Sequence, residues 1–211
     1  MQIAPERSGN VAGYVPGSYS PFERTIIDYC NSVREHLARF PSGDLVKLVQ
    51  FMRSARDRGS FVYLAGNGGS AATASHWAND LGKATKRSGQ RPFKVMNLSD
   101  NVSWFSALSN DEGYERSFAG QLENFVGAGD LLICISASGN SKNLVSAVEL
   151  AKSKGAATFA LVGFDGGVLK LIADHALIIE CERGSYELVE DVHMALCHAV
   201  TRCLVSDKAG L

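Results

Sequence analysis

His76 and Asp80 stand four residues apart, a spacing that puts two side chains on one face of a helix. A neutral imidazole and a carboxylate are good ligands for zinc or a similar divalent ion. The same pair serves as acid and base for proton transfer beside a carbonyl. A second set, Glu187, Glu190, Asp191, His193 and His198, shares an otherwise strongly apolar segment near the end of the chain. At ~100° per residue Glu187, Asp191 and His198 fall closest to one line, and Glu190 lies about 80° from His198. At ~1.5 Å per residue Glu190 and His198 stand about 12 Å apart along the helix. Both reach one ion only at full stretch, or if Glu190 occupies a loosened helix start; otherwise a neighbouring chain must contribute. Spacing alone does not choose between a metal site and a proton-transfer pair.

Just before His76 the chain reads Gly66-Asn67-Gly68-Gly69-Ser70, after the apolar run Phe61–Ala65. A strand that ends in glycines and turns into a helix points free backbone N–H groups at a positive helix end, which suits phosphate. Ser70 is placed to cap that helix and to bond a ligand. A ligand-free tight turn and a dinucleotide loop are the alternatives, since Gly66, Gly68 and Ala71 or Ala72 loosely follow G-x-G-x-x-G/A. That motif expects an acid about 20 residues on, whereas Asp100 comes 34 residues after Gly66. A second loop, Ser136-Ala137-Ser138-Gly139-Asn140-Ser141, follows another apolar run and offers three hydroxyls beside backbone amides. Two such loops imply one phosphate held from two sides. No G-x-x-x-x-G-K-[ST] is present, so a small phosphorylated ligand fits better than a nucleoside triphosphate.

The elements that must position these groups follow from the rhythm of the chain. Apolar residues at helical spacing predict helices over 21–38 and 42–58, the second capped by Ser42 or Asp44. Short apolar runs then alternate with helical segments. Strands are expected at 61–65, 93–98, 131–135, 157–162 and 175–179. Helices are expected at 70–85, 101–108, 114–124, 140–154, 166–172 and 186–205. This is an α/β pattern, a doubly wound parallel sheet covered by helices, with an N-terminal helical pair. Ligands bind beyond the carboxyl ends of such strands, so the loops after 65, 98 and 135 are where chemistry belongs. Residues 1–20, rich in Gly, Ser and Pro, read as a mobile arm before a single domain at 21–207.

Composition excludes several classes. Lys and Arg number 21 against 22 Asp and Glu, which argues against a broad nucleic-acid surface. Five cysteines without a CxxC pair read as small buried hydrophobes in a reducing compartment. The first residues lack the apolar stretch of a secretory signal, and no apolar run approaches the ~20 residues of a membrane span. A cytoplasmic protein is the expectation.

Taken together, GNGGSAATASHWANDL, LSD at 98–100, ISASGNS at 135–141, GFDGG at 163–167 and EDVHMALCH at 190–198 resemble the sugar isomerase (SIS) domain, and most closely the phosphoheptose isomerases. The resemblance runs from about residue 22 to 205. It implies a flavodoxin-like sheet, a homotetramer with sites between subunits, and conversion of sedoheptulose 7-phosphate to D-glycero-D-manno-heptose 7-phosphate through an enediol. Carried over by position, Ser136, Ala137, Ser138 and Ser141 hold phosphate, while Asn67, Gly68, Gly69, Ser70, Asp100 and Glu187 lie near the sugar. His76, Asp80, Glu190 and His198 fall on the metal and catalytic positions, with Asp80 the base and His198 its proton-transfer partner. Three positions depart from the family pattern. Asp80 replaces a glutamate, Glu190 a glutamine and Ala137 a threonine. The resemblance also admits a non-catalytic relative, a tetrameric scaffold that binds the bacterial replication initiator. That relative lacks the acid and the terminal histidine, both of which this chain keeps.

Overall fold

The computed structural model describes residues 19–206. The expected arm at 1–20 falls almost wholly outside them. Two helices open the fold, α1 (Pro21–Arg39) and α2 (Ser42–Arg58). Then follow β1 (Phe61–Gly66), α3 (Gly69–Lys83), β2 (Lys94–Asn97), α4 (Val102–Asp111), a 3-10 turn (Tyr114–Arg116) and α5 (Ala119–Leu122). The chain continues through β3 (Leu131–Ser136), α6 (Lys142–Ser153), β4 (Ala157–Gly163), α7 (Gly167–Ile172), β5 (His175–Ile179) and α8 (Tyr186–Ser206). The start of α1 is fixed by a capping box. Ser20 Oγ accepts from the Glu23 N–H at 3.3 Å, and Glu23 Oε2 accepts from the Ser20 N–H at 2.7 Å. The cap expected for α2 from Ser42 or Asp44 is not formed. Pro41 takes the cap position with no side-chain bond, because its fixed φ already starts the turn. The helix expected over 114–124 divides into the 3-10 turn and α5.

All five strands are parallel, in the order β2-β1-β3-β4-β5. The register pairs Val62 with both Val95 and Leu131, and Leu131 with Ala157. Alternate strand residues feed two cores. Val62, Leu64, Ile133 and Leu161 pack under α2, α3 and α8 with Leu48, Met52, Trp77, Leu81 and Val200. Tyr63, Ala65, Leu132 and Cys134 pack under α5, α6 and α7 with Leu122, Leu144, Val148 and Leu169. A sheet buried on both faces explains why its strands read as unbroken apolar runs. The order of strands reverses between β1 and β3. At that point neighbouring strands send their helices to opposite faces and leave a crevice at the carboxyl ends. The two glycine–serine loops flank this crevice.

No helix among the described residues is long and apolar enough to cross a membrane. All five cysteines are free, but only Cys134 and Cys197 are buried. Cys30 and Cys203 are exposed, contrary to the expectation of buried thiols, because they lie on the outward faces of α1 and α8.

Candidate active site

The first loop leaves β1 at Gly66 and enters α3 at Gly69. Gly68 takes the cap position with φ 55° and ψ −126°, a conformation few side chains accept. Ser70, expected as the cap, sits inside the first turn instead, and its hydroxyl has no partner among the described residues. Gly69 leaves room for a neighbour: a Cβ there would overlap the Glu190 carboxylate as it is now placed. Glu190 therefore lies against the first turn of α3, and burial, then Glu187 and Asp191, raise its pKa above the usual carboxylate value.

About two turns further along α3 the side chains meet those of α8. His76 Nε2 and His198 Nε2 face each other at 3.0 Å. Asp80 Oδ2 stands 3.6 Å from the first and 3.7 Å from the second. The helix register that makes this possible is set one layer deeper. Trp77, next in sequence to His76, is wholly buried, and its indole N–H donates to Thr201 Oγ1 at 3.1 Å. Thr201 lies one turn beyond His198. A buried donor must find its acceptor, so this bond ties the outer faces of α3 and α8 in one register.

Three donor atoms on a tetrahedral ion at ~2.0–2.1 Å would stand about 3.3 Å apart. The observed edges bracket that value, and the donor set of two imidazoles and a carboxylate suits zinc. The residues therefore fit a divalent ion with at least one position left for substrate. Glu190, expected as a fourth ligand, is not part of this cluster among the described residues; its carboxylate lies beside Gly69. His193, grouped with the site residues in the sequence, is wholly buried, with no well-formed hydrogen bond at either ring nitrogen and the Val162 backbone as its nearby polar group. Burial pushes its pKa down to about 4. It faces the core because it lies five residues from His198, on the opposite side of α8.

The second loop is internally braced. Ser136 Oγ accepts from the Gly139 N–H at 3.1 Å, and Ser138 Oγ accepts from the Asn140 N–H at 3.3 Å. Ala137 packs its methyl with Phe164 and Val189. Ser141 takes the cap position of α6 without a side-chain bond, so its hydroxyl has no partner among the described residues. Asp100 is tied to Ser75 Oγ and accepts from Asn97 Nδ2 at 2.7 Å. Glu187 and Asp191 are exposed at the start of α8. Asp191 accepts from Tyr29 Oη of α1 at 2.5 Å, and burial and that bond push the Tyr29 pKa up to about 12. Tyr29 carried no motif, so only the packing of α1 on α8 finds it.

Two hollows among the described residues lie off this cluster. One of about 490 Å³ opens between the α1–α2 junction and β5, and one of about 880 Å³ opens beside α4, touching Asp100 and Asn97. The cluster itself is on an open face, with both histidine side chains half exposed.

A model of the SIS domain matches residues 28–163, which span both loops, His76 and Asp80. The chain belongs to the SIS-domain family. A phosphoheptose isomerase of Pelodictyon phaeoclathratiforme is 34% identical over 183 residues, covering 85% of this chain and 86% of that protein. Another from Helicobacter pylori is 38% identical over 143 residues, covering 68% of this chain and 73% of that one. A solved phosphoheptose isomerase from Neisseria gonorrhoeae superposes with a TM-score of 0.80 at 27% identity, covering 89% of this chain and all of that one. Within the SIS family the chain is thus a member of the phosphoheptose isomerase group. The family model ends before α8.

Proposed function

We propose that this SIS-domain protein is an aldose–ketose isomerase that converts sedoheptulose 7-phosphate to D-glycero-D-manno-heptose 7-phosphate. The observation that carries the proposal is the His76–Asp80–His198 cluster beside two anion-binding loops at one switch point. Phosphate is assigned to the α6 end of the crevice, where Ser141 Oγ and the first-turn amides of a 12-residue helix remain available. The other end of the chain-like sugar then extends toward α3 and α8.

Isomerisation moves one proton between adjacent carbons and one between adjacent oxygens. The Asp80 carboxylate removes a C1 proton, and the electron pair becomes the C1–C2 double bond of an enediolate while the carbonyl electrons move to O2. Asp80 returns the proton to C2, and the C1–O1 double bond forms as O1 loses its proton. The oxygen proton passes from O1 to O2, transferred by His198 when its Nε2 is free of metal; otherwise His198 serves to polarise the carbonyl oxygen. A zinc ion, if bound, would be held by His76, Asp80 and His198 and would supply charge stabilisation for the enediolate oxygens. The retained acid and terminal histidine favour an enzyme over the scaffold reading.

The half-exposed donors support completion of the site by a neighbouring chain. So does α1, which buries no residue and leaves Phe22 82% and Ile26 62% exposed. A homotetramer is the assembly proposed. Five free thiols support a reducing, cytoplasmic setting. The test is turnover of sedoheptulose 7-phosphate against unphosphorylated sedoheptulose. The phosphate ester is expected to be isomerised and the free sugar far more slowly; equal rates would remove the role of the loops.

A further inference from the structure

Asn67, in the first loop, is locked to a residue of α6, the helix that follows the second loop. Its Nδ2 donates to Asn143 Oδ1 at 3.0 Å, and its Oδ1 accepts from Asn143 Nδ2 at 3.0 Å. Asn143 is wholly buried and has no slack: its Nδ2 also donates to Ser117 Oγ at 3.2 Å, and its Oδ1 also accepts from the Leu144 N–H at 3.0 Å. The Leu144 N–H is shared with the Ser141 carbonyl and can only donate. It therefore fixes which end of the Asn143 amide is oxygen. The reciprocal pair then fixes which end of Asn67 is oxygen, since a flip of either amide would set donor against donor and acceptor against acceptor. The last member of the chain is Tyr114, whose Oη lies 2.8 Å from Asn67 Oδ1. Facing an acceptor, the phenol must donate its one proton there.

The consequence concerns what is left over. Tyr114 is 49% exposed, its ring braced edge-on by Phe105 at 6.0 Å. Its oxygen accepts no hydrogen bond among the described residues, and Asn67 keeps one Nδ2 hydrogen uncommitted. We propose that Tyr114 is a specificity-determining residue whose phenol oxygen accepts from a hydroxyl of the bound polyol phosphate, next to the remaining N–H of Asn67. Buried Asn143 is the positioning residue that fixes this acceptor–donor order. The inference rests on the reading that the sugar lies along the first loop. An adjacent acceptor and donor match vicinal hydroxyls, each of which can do either, and do not match a second phosphate, which only accepts.

Calorimetric titration with sedoheptulose 7-phosphate and, separately, inorganic phosphate tests this on the parent, Tyr114→Phe, Asn143→Asp and the double variant. Tyr114→Phe is expected to weaken the sugar phosphate about three- to tenfold, one neutral hydrogen bond, and to leave inorganic phosphate unchanged. Asn143→Asp keeps the shape but puts an acceptor opposite Asn67 Oδ1. It is expected to weaken the sugar phosphate more, with little further loss when Tyr114→Phe is added. Unchanged sugar-phosphate binding in Tyr114→Phe, an equal loss for inorganic phosphate, or additive effects in the double variant would each overturn the inference. Tyr114 is on the surface, so its variant folds and decides the matter even where Asn143→Asp does not. A parent that binds the sugar phosphate without isomerising it would refute the proposed reaction and leave this test standing. A parent that binds neither ligand would overturn both.

Discussion

Thr201→Val removes the acceptor of a buried indole N–H while keeping the side chain's shape. Trp77 is wholly buried and Thr201 nearly so, with donor and acceptor 3.1 Å apart. No water reaches the orphaned N–H, so its desolvation is uncompensated, at roughly 1–3 kcal/mol. For a domain of this size ~1 kcal/mol moves the melting temperature by about 2–4 °C. A central value of ~2 kcal/mol therefore predicts a fall of about 6 °C. Thr201→Ser keeps the acceptor and loses one methyl, at ~0.8 kcal/mol, or about 2–3 °C. Melting at one fixed protein concentration separates the two, since oligomerisation makes the midpoint concentration-dependent. The bond also sets the register that brings His76 and His198 together, so zinc affinity should fall several-fold in Thr201→Val and hold in Thr201→Ser. Equal melting of the two variants would refute the energetic reasoning. A destabilised Thr201→Val with undiminished zinc affinity would refute the register argument.

Other outcomes follow from particular groups. His193 is neutral when folded, with its pKa at about 4 against 6.5 for the free side chain. The unfolded chain takes up the proton first as pH falls, so His193 contributes stability above pH ~6.5 that is lost progressively down to pH ~4, roughly 3 kcal/mol in all. Denaturant melts of His193→Leu across that window should show a shallower pH slope than the parent; an identical slope contradicts the burial of a neutral ring. Ser141→Ala should raise the KM for the sugar phosphate without moving the melting temperature. Ser136→Ala should lower the melting temperature, because Ser136 Oγ already holds the Gly139 N–H. The reverse pattern would exchange their roles. Glu190→Gln should leave bound zinc per chain unchanged, while Asp80→Ala should abolish it; a loss in Glu190→Gln would bring that carboxylate back into the metal site.

Much of this was legible in the sequence because periodicity and loop chemistry are local. Unbroken apolar runs such as Leu131–Ile135 announced strands buried on both faces, and the glycines at 66, 68 and 69 announced the strand-to-helix turn. His76 and Asp80 could be paired because four residues make one helical turn. What spacing could not supply was depth and partnership across elements. His193 and His198 look alike in the chain, and only the packing of α8 on the sheet sends the first into the core. Ser136 and Ser141 likewise look equivalent, yet one hydroxyl is consumed inside the loop and the other is not. Glu190 was expected as a metal ligand from the family resemblance, but its carboxylate lies beside Gly69 rather than with His76, Asp80 and His198. The Asn67–Asn143 pair spans 76 residues and bears no motif.

The central claim is that Asp80 moves a substrate proton in this site. Sedoheptulose 7-phosphate incubated with the protein in deuterium oxide, followed by proton NMR, reads that transfer at the carbon itself. The parent is expected to form the aldose phosphate and to wash deuterium into C1 of the ketose and C2 of the product. Asp80→Asn, which keeps the shape and cannot accept the proton, is expected to do neither while melting as the parent does. Deuterium incorporation by Asp80→Asn at the parent's rate, or an unexchanged and unconverted ketose with the parent, would contradict the account.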